Sequence, residues 1–389
     1  MSVGSTFQNR HGKRVNENRV DAAGSIVVTA VGGGVGQSVL RALRLSPLSW
    51  QIAGCDIDPW AAGLYVCKQG YVVPAAHESS YVDRILEVLA REKGRILIPC
   101  SDPELLALST ARQRLLSAGV IPLVSSPEAV NLCRNKLATY HFFQAHGLPF
   151  AHTVPACEGL RLADEVGFPL IVKPIGGSAS RGVRIAFDRD QLSQYTDLEN
   201  LIVQEYLVPE NWGKTRQELT AQDVIQGHLV RQVDEISTQV LLDHEGNFLE
   251  QFTSRNVLKY GIPLLIDPQP NAAVEEIARQ MVSLLAKQGL IGPCNLQCKV
   301  TERGPVFFEI NPRFTGITAV RAGLGFNEVE AILRRALLDE PVDAVRAQLQ
   351  VRDDLVCSRY VTEVIVPRDE LETVRAQGYI RGNGRGTSL

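Results

Sequence analysis

No two cysteines in this chain stand in C-x-x-C spacing, so there is no paired metal-binding or redox motif to read. The eight that occur (Cys55, Cys67, Cys100, Cys133, Cys157, Cys294, Cys298 and Cys357) are scattered, mostly inside apolar segments. That usage suits reduced, buried thiols and a cytoplasmic location. No apolar run approaches the roughly 20 residues that a membrane span needs. The first 24 residues carry Arg10, Lys13, Arg14 and Arg19 without an apolar core, and read as a polar leader rather than a secretory signal. An excess of one charge is missing too: 40 Lys and Arg against 43 Asp and Glu leave a net charge of -3. Such a chain has no whole-molecule field to hold nucleic acid or an anionic membrane, and neither is expected as a partner. The seven histidines include no H-E-x-x-H pair and no serine sits in G-x-S-x-G, which removes the support for zinc and serine hydrolases. Internal repeats and low-complexity segments are absent.

What remains is an ordinary globular composition. The chain has 389 residues, 45% hydrophobic and 21% charged, enough for two or three domains each with its own core. The β-branched run Ser25–Val31 leads into the glycine turn Gly32–Gly36 and then Val39, Leu40 and Leu43 at helical spacing: strand, turn, helix. A strand at Gln51–Cys55 delivering Asp56 and Asp58, a helix from Tyr81, and a strand at Arg95–Cys100 continue the alternation, which predicts a doubly wound parallel sheet to about residue 125. Ser101–Glu104 and Ser125–Glu128 are helix starts, each with a capping serine and an early proline. Beyond Gly147 the pattern becomes β-rich, with segments Pro169–Lys173, Leu201–Glu205, Glu235–Asp243 and Phe248–Thr253. The polar run Pro209–Val233 reads as an insertion, and one further strand is expected at Ser358–Val366.

Three stretches can carry chemistry. A glycine turn between strand and helix can present N–H groups to a phosphate, but the G-x-G-x-x-G spacing fails at Gln37, so a tight packing turn is the simpler reading of Gly32–Gly36. In the second, Lys173 ends a strand and precedes a loop with three glycines and two serines, Gly176–Gly182. This serves equally as a phosphate cradle or a surface turn, and is not a Walker A sequence. The third is the pair of runs Asn295–Val300 and Val306–Asn311, which reads as an antiparallel hairpin. Side-chain alternation puts Asn295, Gln297 and Lys299 on one face, and Phe307, Glu309 and Asn311 on one face of the partner strand. A five-residue connection, Thr301–Pro305, would pair Val300 with Val306 and hence Gln297 with Glu309. Gln297, Glu309 and Asn311 would then converge as a hard-oxygen set of the kind Mg²⁺ uses beside substrate phosphates, with Arg313 next to them. A solvated polar face is the competing reading.

In this order the stretches resemble the ATP-grasp superfamily, in particular its carbamoyl-phosphate-synthase-like branch of carboxylate–amine ligases. The resemblance covers about residues 25–340 and is strongest at Asn295-x-Gln297 with Glu309–Arg313. It implies an α/β chain with a Rossmann-like pre-ATP-grasp domain followed by a two-subdomain α+β ATP-grasp fold. The expected divisions are a leader (1–24), the first domain (25–125), a small lid subdomain with its linker helix (126–200), a large subdomain (201–341) and a C-terminal extension (342–389).

By the same resemblance, Lys136 and Lys173 contact the nucleotide, Gly176, Gly177, Ser178 and Gly182 belong to the loop over the phosphates, and Glu205, Tyr206 and Leu207 form the adenine hinge. Glu235 takes the ribose, Gln297, Glu309 and Asn311 hold Mg²⁺ (Mn²⁺ being the alternative ion), Arg313 binds phosphate, and Arg255 faces an acyl phosphate. Gln239 stands where many relatives carry an acid. The cofactors implied are ATP and Mg²⁺, and the partners are a small carboxylate and an amine, with a homodimer the oligomer to test for. Asp56, Ser101, Asp102 and Glu104, at the strand ends of the first domain, would favour a carboxylate that also bears an amino group. Two other readings stand beside the ligase: an NAD(P)-dependent oxidoreductase built on Gly32–Gly36, and an ATP-binding sensor without turnover.

Overall fold

The computed structural model describes residues 24–177, 182–224, 232–259, 262–360 and 362–381. The alternation at the start of the chain builds a parallel sheet from β1 (Ser25–Val28), β2 (Gln51–Asp56), β3 (Gln69–Val72), β4 (Gly94–Ile98) and β5 (Ile121–Pro122). Its order is β3-β2-β1-β4-β5, the doubly wound arrangement expected from the sequence. Ile26, Val27 and Val28 are fully buried because helices cover both faces, which is why this strand reads as a continuous apolar run.

β6 (Thr153–Pro155), β7 (Leu170–Pro174), β8 (Arg184–Ala186) and β9 (Leu201–Glu205) form a four-stranded antiparallel sheet in the order β6-β9-β7-β8. The expected division at residue 200 therefore cuts this sheet, because β9 lies between β6 and β7. β10 (Gln232–Leu242), β11 (Phe248–Lys259), β12 (Ile262–Pro268), β13 (Pro293–Thr301), β14 (Gly304–Asn311) and β15 (Cys357–Ser358) make the third sheet, in the order β14-β13-β10-β11-β12-β15. The helix Ala272–Ala286 packs Val274, Ala278, Met281, Val282 and Leu285 against one face of it, in a core shared with Val240, Cys294, Leu296 and Cys298. The other face carries Glu235, Ser237, Gln297 and Glu309 and, farther along, Leu241 and Phe252, which join the apolar core around Phe326.

The C-terminal stretch does not stand apart. Only Cys357–Ser358 pairs as a strand where Ser358–Val366 was expected. β16 (Tyr379–Arg381) returns to the first sheet and lies antiparallel on β3, where Tyr379 stacks on Tyr71. No described helix is long and apolar enough to cross a membrane.

Candidate nucleotide and metal site

The hairpin β13–β14 pairs Gln297 with Glu309 and Asn295 with Asn311, as the sequence predicts, but by another route. The connection is tighter than five residues: Thr301 pairs with Gly304, whose φ of +82° suits glycine, and Lys299 pairs with Val306. An irregularity between Gln297 and Cys298 then shifts the register by one, with Phe308 as the extra residue. The expectation that Phe307 shares a face with Glu309 is thereby corrected. Phe307 pairs with Cys298 and is fully buried in the apolar core, whereas Glu309 lies across from Gln297 on the polar face.

On that face the ladder continues into β10, where Ser237 lies opposite Gln297 and Gln239 opposite Asn295. Glu235 comes two positions earlier, and Gln297 Nε2 donates to its Oε1 at 3.1 Å. Burial pushes the Glu235 carboxyl up to about 7; the negative charge of Glu309 adds to the rise and Lys299 opposes it. Across the cleft, Lys173 ends β7. It is buried, donates to Gln204 Oε1 at 2.8 Å, and is pushed down to about 8 by desolvation, with Glu309 opposing and Lys136 adding to the fall. These mutual influences put Lys173, Lys136, Glu309 and Glu235 in one electrostatic neighbourhood, although they come from four separate stretches of chain.

Lys136 is placed by a helix start. Asn135 accepts from Ala138 N at 3.0 Å as N-cap of the helix Lys136–Ala145, while Lys136 N bonds Ile175 O and its Nζ reaches Gly177 O at 2.9 Å. The lysine is thus tied at both ends to the start of the glycine loop. Gly177 (φ +108°) and Gly182 (φ +75°) hold backbone conformations that suit glycine, and Gly176 lies between β7 and that turn. Ser178 lies outside the described residues.

At the hinge, Glu205 spends its carboxylate on the protein itself: Arg303 Nη2 donates to both oxygens at 2.9 and 2.8 Å, Arg216 at 3.3 Å and His152 N at 3.0 Å. Tyr206 is fully buried, and its carbonyl accepts from Arg216 Nη2 at 2.6 Å; Leu207 is buried beside Ala151 and Val306. What this segment offers a ligand is backbone rather than charge.

Arg313 makes a bidentate pair with Asp102, 211 positions away, at 2.5 and 3.0 Å, and donates further to Phe314 O and Asn311 Oδ1. Burial works against its charge, but the Asp102 carboxylate outweighs it and holds the guanidinium above its usual range. Arg255 is not brought to this face. It pairs across with Ile236 and Asp267, on the reverse side of the sheet from Gln297 and Glu309, and its guanidinium engages Asp234. Parity decides this, since Ser254 and Asn256 occupy the cleft side on either side of it.

The acids at the strand ends of the first domain are likewise engaged. Asp56 accepts from Gly32 N at 2.7 Å and Asp58 N at 3.0 Å. Glu104 is buried and takes Thr29, Ser101 and Tyr81 hydroxyls. The expected set of acids open to an amino group is therefore replaced by internal hydrogen bonds. The glycine turn is a packing device: a Cβ on Gly36 would sit 2.3 Å from Ala30 O, and one on Gly32 2.7 Å from the Ala61 Cβ. With Asp56 committed to the turn, the oxidoreductase reading loses its ribose acid.

Among the described residues no three His, Cys, Asp or Glu side chains cluster to hold a metal alone. Gln297, Glu309 and Asn311 supply one carboxylate and two amide oxygens. That donor set fits a hard cation that takes most of its ligands from phosphates and water, as Mg²⁺ does. Sequence reasoning did not find Arg216 or the role of Asp102 as the partner of Arg313, and it did not assign Lys299; for the last, its place on the same strand face as Gln297 was the available signal.

Residues 28–123 match the PylC-like N-terminal domain family and residues 133–317 the ATP-grasp domain family. Over 198 residues the chain is 32% identical to the Sinorhizobium fredii protein y4rH, covering 49% of this chain and 38% of that protein. Over 286 residues it is 23% identical to the carbamoyl phosphate synthase large chain of an Arthrobacter species, covering 70% of this chain and 24% of the relative. The chain thus spans only about a quarter to two fifths of the length of these curated relatives. Among solved structures, N5-carboxyaminoimidazole ribonucleotide synthetase from Thermus thermophilus superposes with a TM-score of 0.59 at 19% identity, over 84% of this chain and 80% of that one. The biotin carboxylase domain of Hydrogenobacter thermophilus 2-oxoglutarate carboxylase, solved with MgADP and bicarbonate, gives 0.61 at 16% identity, over 84% and 72%.

Proposed function

Starting from a chain that belongs to the ATP-grasp superfamily, we propose that it is an ADP-forming ligase that activates a small carboxylate as an acyl phosphate and passes the acyl group to an amine. One observation carries this reading. Lys173, at the end of β7, feels both the carboxylate of Glu309 and the ammonium of Lys136, and Glu309 is flanked by the amides Gln297 and Asn311 on the third sheet. Cations on one wall and hard oxygen donors on the other suit a triphosphate with a divalent ion between them.

In this reading Lys136 and Lys173 hold phosphate oxygens, and Gly176, Gly177 and Gly182 lie beside them. The backbone of Glu205–Leu207 takes the adenine edge, and Glu235 accepts from the ribose. Mg²⁺, when bound by Gln297, Glu309 and Asn311, would neutralise charge on the phosphates. A carboxylate oxygen of the substrate attacks the γ-phosphorus, and the bond to the β-phosphate oxygen breaks to release ADP. The amine then attacks the acyl carbon, loses a proton, and expels phosphate. Positioning and fixed charge carry most of such a phosphoryl transfer, so no nucleophile triad is needed. Arg313, once released from Asp102, is a cation for the transferring phosphoryl group.

The test is ADP release with MgATP across a matrix of carboxylic acids and amines. Turnover that requires one acid together with one amine is expected, and Glu309→Gln should abolish it with the fold retained. Tight MgATP binding with no ADP from any pair would replace the ligase by a nucleotide sensor.

A further inference from the structure

Lys299 is a buried cation. It is 7% exposed, and among the described residues its ammonium has no hydrogen-bond acceptor. Two rings hold it instead: Nζ lies 5.4 Å from the Tyr206 centroid and 5.7 Å from that of Trp212. Tyr206 belongs to the hinge, but Trp212 comes from the polar insertion that follows it. That segment is pinned in place. Trp212 Nε1 and Asn211 Nδ2 donate to Asp234 at 2.9 and 3.0 Å, and Arg216 from the same segment grips Tyr206 O. Asp234 takes a positive φ of 61° immediately before Glu235.

The ladder fixes what Lys299 faces. Ile236 pairs with Cys298, so the next row brings Glu235 and Lys299 together on the cleft side, and each feels the charge of the other. Glu235 in turn bonds Gln297, which lies across from Glu309. From the hinge toward the metal set, the polar wall therefore runs Tyr206 and Trp212, Lys299, Glu235, Gln297, Glu309. A nucleotide with its base at the hinge and its phosphates at Glu309 must place its sugar against the second and third of these.

We infer that Lys299 and Glu235 together read the ribose hydroxyls, Lys299 donating where Glu235 accepts, and that the Asn211–Arg216 segment acts as a bracket holding Lys299 in that position. A hydroxyl is both donor and acceptor, and a carboxylate alone can satisfy only its hydrogen; the ammonium supplies the complementary contact. The inference rests on the nucleotide half of the proposed function and needs neither acid nor amine substrate.

Calorimetry with the full-length protein, Mg²⁺, and ATP, 2′-deoxy-ATP or 3′-deoxy-ATP tests it. The intact protein should favour ATP over at least one deoxynucleotide by about tenfold or more, the size of one charge-assisted hydrogen bond. Lys299→Met should shrink that preference to about threefold or less, and Lys299→Arg should keep part of it. Trp212→Leu, which leaves the ammonium but removes one ring, should also erode it. Equal weakening for all three nucleotides in Lys299→Met would reduce Lys299 to a structural prop and overturn the inference while the proposed function stands. If the intact protein takes up no nucleotide, both fall. Should Lys299→Met fail to fold, the Trp212→Leu comparison decides alone.

Discussion

Removing the Asp102 carboxylate is the sharpest test of how the first domain is joined to the candidate nucleotide site. Asp102 and Arg313 are 13% and 12% exposed at their side chains and meet through two parallel bonds. In Asp102→Ala the guanidinium would remain buried, with Phe314 O and Asn311 Oδ1 as its remaining acceptors among the described residues. Deleting one member of a buried pair costs about 3–5 kcal/mol, whereas replacing both by apolar groups is close to neutral. Asp102 also sits in the first turn of the helix Asp102–Thr110, worth up to about 1 kcal/mol through the helix dipole. That contribution is lost in the single and the double variant alike, so it cancels in a double-mutant cycle. Urea denaturation of the wild type, Asp102→Ala, Arg313→Met and the double variant should give a coupling energy above about 1.5 kcal/mol. MgATP should raise the midpoint of Asp102→Ala more than that of the wild type, because a phosphate can replace the missing anion and binding to the folded state stabilises it. A coupling energy below about 0.5 kcal/mol would refute the reasoning and class the contact with screened surface pairs.

Three other outcomes follow from the site. Lys173, pushed down to about 8, is cationic below that pH, so affinity for MgATP should fall as pH rises above 8 in the wild type and hold in Lys173→Arg; a flat wild-type profile would contradict the placement of Lys173 at the phosphates. Glu235 is raised from 4.5 to about 7, so the folded state binds the extra proton between these values and stability falls as pH rises across that window. Glu235→Gln should remove that slope, gaining up to about 3 kcal/mol on the wild type between pH 4.5 and 8 in chemical denaturation, and parallel profiles would count against it. Gly36→Ala should lose about 1–3 kcal/mol through the clash with Ala30 O, whereas Gly34→Ala, whose Cβ meets nothing within 4 Å, should be near neutral.

The strand–turn–helix opening at Ser25–Arg44 and the helix start at Ser126 were legible because each is set by neighbours a few positions apart, whereas the break at Asn135, which starts a second helix at Lys136, was not read. That Glu309 and Asn311 share a face was legible for the same reason, since strand alternation is local, but Gln297 meets Glu309 as read only because the tighter turn and the one-residue shift cancel. The face of Phe307 was not legible. A one-residue register shift reverses every side chain beyond it, and the pattern carried no mark of where the shift falls. Arg255 failed similarly, since the resemblance that suggested it does not fix the side of the sheet it occupies.

The doubly wound first sheet and the shared face of Glu309 and Asn311 were thus determined by the sequence alone, through periodicity and spacing within single elements. Which charges meet was decided only by the tertiary structure. Arg313 finds Asp102 across 211 positions, Glu205 is consumed by Arg216 and Arg303, and β16 closes on β3, because burial in a low-dielectric interior obliges each charge and each strand edge to find a partner wherever the folded chain brings one.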